Sequence, residues 1–434
     1  MRPHTPLKEK VRRFLADHEL DAAAIDPEVV LEDFLDEMTR GLEGRPSSLA
    51  MIPTFITVDK PVPPRRPVIA VDAGGTNLRV ARVVFDENGS PAIDHYSNYE
   101  MPGLRREVGK DEFFDLFARY LEPVAGLADA VGFCFSYAAE ITPDGDGKLL
   151  TWTKEIKAPE VVGEFIGRNI AVRLQSKGFC PRITLLNDTV ATLLAGKSVG
   201  GPRRYDSYIG FILGTGTNTS YVERNVRIGK RRDLDPKGAQ AINVESGNFR
   251  RHPRGDIDRA FDATTADPGA YTFEKMISGA YLGGLCLQVL KTAAEEALLS
   301  AEGAGMIAEL AQLSTIEVDA FLRNPFASDS QPLGGLPEED KEISLRLFTA
   351  VVERAALLAA VNISAAVLKS GGGASPLHPV CVNADGSTFY KTKDFRLRVE
   401  EHLRKILGPR GIFCEIIRVD DSPLIGAAVA GLTR

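Results

Sequence analysis

The stretch "VIAVDAGGTNLRVARVV" (68–84) joins two apolar strands through Asp72-Ala73-Gly74-Gly75-Thr76-Asn77. The same design returns in "YIGFILGTGTNTSYVER" (208–224), where Gly214-Thr215-Gly216-Thr217-Asn218 separates two further strands. Laid over one another, Gly75-Thr76-Asn77 falls on Gly216-Thr217-Asn218. Alone, either stretch reads equally well as an ordinary tight turn between alternating apolar residues. The recurrence constrains the chain more: two like hairpins imply an internal repeat. Glycine admits close approach of backbone N–H groups to a ligand, and Thr and Asn add short donors. That chemistry suits phosphate oxygens. Two such hairpins facing each other imply a polyphosphate held between two related domains.

At 434 residues there is room for about two or three domains. A hydrophobic content of 44% with 26% charged residues is that of a soluble globular protein. The net charge of −7 offers no general attraction to nucleic acid or acidic membranes. Cys134, Cys180, Cys286, Cys381 and Cys414 are scattered and form no CxxC pair. A disulfide framework or zinc site is therefore not expected, and a reducing cytoplasm is. The N-terminus lacks a signal-peptide apolar core and reads as an amphipathic helix with Leu7, Val11, Phe14 and Leu15 on one face. The longest apolar run, "AALLAAVNISAAVL" (355–368), is too short to span a bilayer and reads as a buried helix.

Two helices are expected over 5–43, followed by a proline-rich connector, "DKPVPPRRPV" (59–68). From 68 to about 186, strand and helix patterns alternate, which argues an α/β unit. A second, more helical α/β unit starts near 187, with long helices expected at 272–299 and 338–370. The charged "GKRRDLDPKG" (229–238) reads as a solvated turn. The final segment reads as strand, turn and helix, with Ser422 as cap and Pro423 in the first helical position.

"ITLLNDTVATLLAG" (183–196) is a short strand running directly into Asn187-Asp188-Thr189 and a helical pattern. In isolation these three residues are a helix N-cap. They also place a carboxylate at a strand's carboxyl end, where open α/β sheets commonly bind ligands. Ser136, Thr153 and Lys154 surround the single tryptophan, and each alone would pass for surface. Glu245 in "INVESGNF" and Glu274 in "YTFEKMISGAYLGG" stand among apolar and small residues. A glutamate near a helix start can simply serve the helix dipole.

Taken together and in order, D-x-GGTN-x-R, SYA, WTK, NDT, GTGTN, INVES and FEKMISGAY resemble the hexokinase family of sugar kinases, from about residue 50 to the last helix. The resemblance implies a two-domain actin-like (ribonuclease H-like) α/β fold with the active site in the interdomain cleft. It implies ATP and magnesium as cofactors and transfer of the γ-phosphoryl group to the 6-hydroxyl of glucose or a related hexose. By similarity, Asp72 would hold the magnesium through water, while Gly74, Gly75, Thr76, Asn77 and Arg79 contact phosphates. Gly214, Thr215 and Gly216 would form the opposing phosphate hairpin, and Ser387 a further phosphate or adenosine contact. Asp188 matches the catalytic base. Ser136, Thr153, Lys154, Asn187, Asn218, Glu245 and Glu274 match the sugar ligands, and a polyhydroxylated substrate needs such polar partners in numbers.

Three positions depart from the family pattern. Ser136-Tyr137-Ala138 replaces the usual Ser-Phe-Pro, altering the sugar loop. Tyr271 stands where the family often has Gln. The glycine-rich turn before the last helix becomes "DDSPLIGAAVAG", keeping only Gly426, Ala427 and Ala428, which leaves nucleotide preference open. The implied architecture is a small domain of 64–187, completed by a C-terminal helix in 421–434. A large domain would combine helices within 1–63 with 188–420. Competing readings are a non-catalytic sugar sensor, an actin- or chaperone-type ATPase without a small acceptor, and a zinc-containing bacterial glucokinase, whose cysteine cluster is missing here.

Overall fold

A computed structural model describes residues 7–152, 156–199, 203–327 and 332–434. Both glycine-rich stretches form hairpins, and each lies within its own sheet. Pro67–Ala73 pairs antiparallel with Asn77–Phe85, with Ala73 opposite Leu78. Ser207–Leu213 pairs antiparallel with Thr217–Arg224, with Leu213 opposite Thr217. Around the first hairpin, the five-stranded sheet runs Pro91–Glu100, Asn77–Phe85, Pro67–Ala73, Ala130–Phe135, Arg182–Leu186. Around the second, the six-stranded sheet runs Ile52–Pro53, Ala239–Asn243, Thr217–Arg224, Ser207–Leu213, Val380–Asp385, Cys414–Ile417.

Apart from the edge strand Ile52–Pro53, the two sheets repeat one plan. Each has three antiparallel strands, then two added in parallel. Parallel neighbours require crossovers, which helices supply. In the first sheet these include Lys110–Leu121 and Ile166–Gln175, whose buried Phe113, Phe117, Ile170 and Leu174 join one core. In the second, a long helical excursion separates Thr217–Arg224 from Val380–Asp385. Its longest member, Glu338–Ser370, is apolar and long enough to cross a membrane by composition. With 89% of its apolar window buried it serves instead as the central core helix.

Leu7–Asp17 and Pro27–Glu43 are the two N-terminal helices. Val11 and Phe14 are buried, with Leu7 and Leu15 packed beside them. The second helix starts at Asp26, whose carboxylate accepts the Glu28 N–H at 2.9 Å, and stops at left-handed Gly44. The helix expected over 272–299 is broken into Thr272–Ile277 and Leu282–Glu295. The break has a cause: Gly279 and Ala280 donate their N–H groups to Gly214 and Thr215 of the second hairpin at 2.8 and 3.0 Å. The last helix, Ser422–Thr433, also differs at its start, because Ser422 is its first residue rather than its cap. The Ser422 hydroxyl is taken by the Val419 carbonyl, and the preceding Asp421 is left-handed with its carboxylate drawn away to Arg79.

Two helices, Asp188–Val199 and Ser422–Thr433, pack against each other and against both sheets. At their glycines the approach leaves no space for a side chain. A Cβ on Gly426 would lie 1.8 Å from the Ala191 carbonyl oxygen, and one on Gly132 would lie 1.7 Å from that of Ala427. The retained Gly426-Ala427-Ala428 is thereby explained as a packing surface.

Candidate active site

Strand Arg182–Leu186 ends one residue before Asn187, whose Oδ1 accepts the Thr189 N–H at 2.9 Å and so caps the helix. Asp188 takes the first helical position, its own Oδ1 2.8 Å from the same N–H. Three contacts hold this first turn. Ser220 Oγ donates to the Thr189 carbonyl at 2.8 Å, Asn383 Nδ2 to that of Thr192 at 2.7 Å, and Thr192 Oγ1 back to Asp188 at 3.0 Å. The cap reading therefore belongs to Asn187. Among the described residues Asp188 forms no ion pair.

The first hairpin presents Asp72 at the end of its entering strand and Arg79 directly opposite. Arg79 donates to Asp72 Oδ2 through Nε (2.9 Å) and Nη2 (2.6 Å), and to Asp421 Oδ1 through Nη1 (2.8 Å). Burial pushes the Asp72 carboxyl up, Arg79 opposes this, and the nearby charge of Asp188 raises it further. At the tip, the Gly74 N–H closes on the Asn77 carbonyl at 3.0 Å and Asn77 Nδ2 donates to Thr76 Oγ1. The Gly75 and Thr76 N–H groups have no acceptor among the described residues. Partly buried Ser136 follows the neighbouring strand and donates its N–H to Ala73 at 3.2 Å. Thr153 and Lys154 lie outside the described residues. Trp152 just before them donates Nε1–H to Ala158 at 2.8 Å.

In the second hairpin, the Gly214 N–H closes on Gly216 at 3.0 Å, leaving the Thr215 and Gly216 N–H groups without an acceptor among the described residues. The Gly214 carbonyl also receives the Thr388 hydroxyl at 2.8 Å. That bond brings Ser387, first residue of the short helix Ser387–Lys391, beside the hairpin.

The two glutamates converge on the second hairpin's exit strand. Glu274 Oε2 accepts the Thr217 N–H at 2.8 Å. Glu245 Oε1 accepts Asn243 Nδ2 at 2.8 Å and Asn218 Nδ2 at 3.5 Å, and Asn218 Nδ2 also reaches Asn243 Oδ1 at 2.8 Å. Glu245 itself is left-handed, as is Tyr271, which begins the helix of Glu274. Such backbone at non-glycine residues costs free energy and gathers at functional sites. Burial raises the carboxyl of Glu274 to about 6, against the Thr217 bond and aided by Glu245. Burial raises Glu245 too, and Asp188 adds to the effect. Asp188 is thus within electrostatic reach of both Asp72 and Glu245.

Sequence reasoning passed over Asn243, Asp385 and Asp421. Asn243 was visible as a polar residue in the apolar run "AINV", two before Glu245. Asp385 precedes Gly386-Ser387, and burial and the charge of Asp188 raise its carboxyl. Asp421 carried no local signal of its partner, because Arg79 is remote in sequence.

A family model described as Hexokinase matches residues 208–433, and a second with the same description matches 10–198. The chain belongs to the hexokinase family. This hexokinase is 32% identical to Hexokinase-2 of Oryza sativa subsp. japonica, over 91% of this chain and 85% of the rice protein. It is 30% identical to Hexokinase-1 of Schizosaccharomyces pombe, over 97% of this chain and 91% of the yeast protein. A solved structure of hexokinase from Schistosoma mansoni complexed with glucose matches 99% of this chain and all of that one, with TM-score 0.78 and 25% identity. The fold is the two-domain, actin-like α/β fold of hexokinases, and the protein is a sugar kinase, a phosphotransferase.

Proposed function

We propose that this hexokinase transfers the γ-phosphoryl group of Mg-ATP to the 6-hydroxyl of glucose or a related hexose, with Asp188 as the base. The supporting observation is Asp188 at the strand–helix junction: a carboxylate without an ion partner among the described residues, within electrostatic reach of both Asp72 and Glu245. A sugar hydroxyl is a poor nucleophile near pH 7, and a positioned carboxylate can accept its proton during transfer. Ser136, Asn187, Asn218, Asn243, Glu245 and Glu274, with Thr153 and Lys154, would bind the hexose hydroxyls. The open N–H groups of Gly75, Thr76, Thr215 and Gly216 would bind phosphate oxygens, supported by Gly74, Asn77, Arg79, Gly214 and Ser387.

Among the described residues no group of three or more His, Cys, Asp or Glu could hold a metal ion. Magnesium ordinarily takes one or two carboxylates and completes its shell with phosphates and water. Asp72 would hold it, and the ion would neutralise charge developing on the transferred group. The small unit of 64–187, the large unit of 188–420 and the returning helix would close around the sugar and exclude water. Five free thiols fit a reducing compartment, the cytoplasm.

The test is ADP release with magnesium and ATP, with and without glucose, mannose and fructose. Turnover should depend on hexose, because closure assembles the site only with sugar bound. Equal rates with and without sugar would identify a plain ATPase instead.

A further inference from the structure

Tyr137 follows Ser136 at the point where this chain departs from the family's Ser-Phe-Pro. Its side chain is 3% exposed. The ring packs against Phe135 (centroids 4.9 Å apart) and edge-on against Trp152 (4.8 Å), the residue preceding Thr153 and Lys154. The phenol hydroxyl leaves this aromatic cluster and donates to the Gly74 carbonyl at 2.6 Å. One side chain thus links the loop of Ser136, the ring of Trp152 and the tip of the first hairpin.

The consequence follows from peptide geometry. A peptide unit is planar and trans, so its C=O and N–H point in opposite directions. Fixing the Gly74 oxygen toward Tyr137 therefore turns the Gly75 N–H away from the aromatic cluster. That N–H has no acceptor among the described residues. Two adjacent glycines would otherwise leave this peptide free to rotate, at an entropic cost when a ligand orders it. A phenylalanine would keep the ring packing and lose the anchor.

We infer that Tyr137 is a positioning residue for nucleotide: its hydroxyl fixes the Gly74–Gly75 peptide so that the Gly75 N–H is set to receive a phosphate oxygen before ATP arrives. This rests on the reading of the first hairpin as a phosphate site. Tyr137 touches neither sugar nor phosphate in this role, so its contribution falls on ATP and not on hexose.

The test compares wild type with Tyr137→Phe and Tyr137→Met, two variants without the hydroxyl that differ in shape. KM for ATP, and Kd for the β,γ-imido analogue of ATP by calorimetry, should rise about three- to tenfold in both, the scale of one hydrogen bond. Kd for glucose should stay within about twofold. Melting temperature is recorded alongside, since a structural role alone lowers it without moving the nucleotide constants. Nucleotide constants unchanged in Tyr137→Phe, or a defect in Tyr137→Met alone, would overturn the inference while leaving the kinase reading intact. A wild type without hexose-dependent ATP turnover would overturn both.

Discussion

Arg79 Nη1 donates to Asp421 Oδ1 at 2.8 Å, joining the first hairpin to the turn that starts the last helix. The same guanidinium holds Asp72, so two carboxylates share a cation placed where phosphate would bind. Asp421→Asn keeps an acceptor and removes one negative charge. KM for ATP should fall about two- to fivefold, or about 0.4–1 kcal/mol. Stability should change by less than about 1 kcal/mol, because the Asp421 side chain is half exposed. The gain should shrink at high ionic strength. A KM for ATP that stays constant or rises would show that Asp421 does not compete with phosphate.

Asp188→Asn should lower kcat by about 10²–10⁴, the usual scale of general acid–base help. Analogue affinity and melting temperature should largely survive, since Asn187 supplies a cap bond to Thr189. The stability cost should not exceed about 1 kcal/mol. A variant retaining more than a tenth of wild-type kcat removes Asp188 from the mechanism.

Glu274 titrates at about 6, raised mainly by burial. A raised carboxyl binds its proton more tightly in the folded chain, so ionising it as pH rises from the ordinary Glu range through about 6 costs stability. Hexose affinity should run the other way, weakening as pH falls through about 6, because protonation removes a carboxylate acceptor. Glu274→Gln should bind hexose about tenfold more weakly at neutral pH, the loss of one charged hydrogen bond. It should also lose this pH dependence. Calorimetric Kd from pH 5 to 8 decides it, and an identical pH profile in both proteins would rule Glu274 out as the titrating group.

His18 lies between Asp256 and Glu296, with its Nδ1 2.9 Å from the first and its Nε2 3.1 Å from the second. Burial alone would lower its pKa, but the two carboxylates outweigh burial and raise it. The stabilisation is therefore complete below the ordinary histidine value and is lost as pH rises through the raised one. Melting temperatures of wild type and His18→Gln should differ more at pH 6 than at pH 9. A gap that widens with pH would reverse the assignment.

Most of this architecture is legible in local sequence because the hairpins are local. Their glycines, threonines and asparagines sit within a few residues of one another, and the strand–Asn–Asp–helix junction is equally compact. What escapes is non-local. The break at Ser278–Tyr281 exists because the second hairpin draws Gly279 and Ala280 out of helical bonding. Helical periodicity in "FEKMISGAYLGG" gives no warning of that. Asp421 likewise gives no local sign of its partner, because Arg79 takes its carboxylate from a remote part of the chain.

The seating of Ser422–Thr433 on Gly132 and Ala191 has a consequence for biosynthesis. A ribosome releases the last strand of the five-stranded sheet by Leu186, and this helix only after every strand of both sheets. Yet the helix supplies Leu424, Ala427, Ala428 and Val429 to the core beneath that sheet. The five-stranded sheet is thus complete in its strands long before the helix that finishes its interior is made.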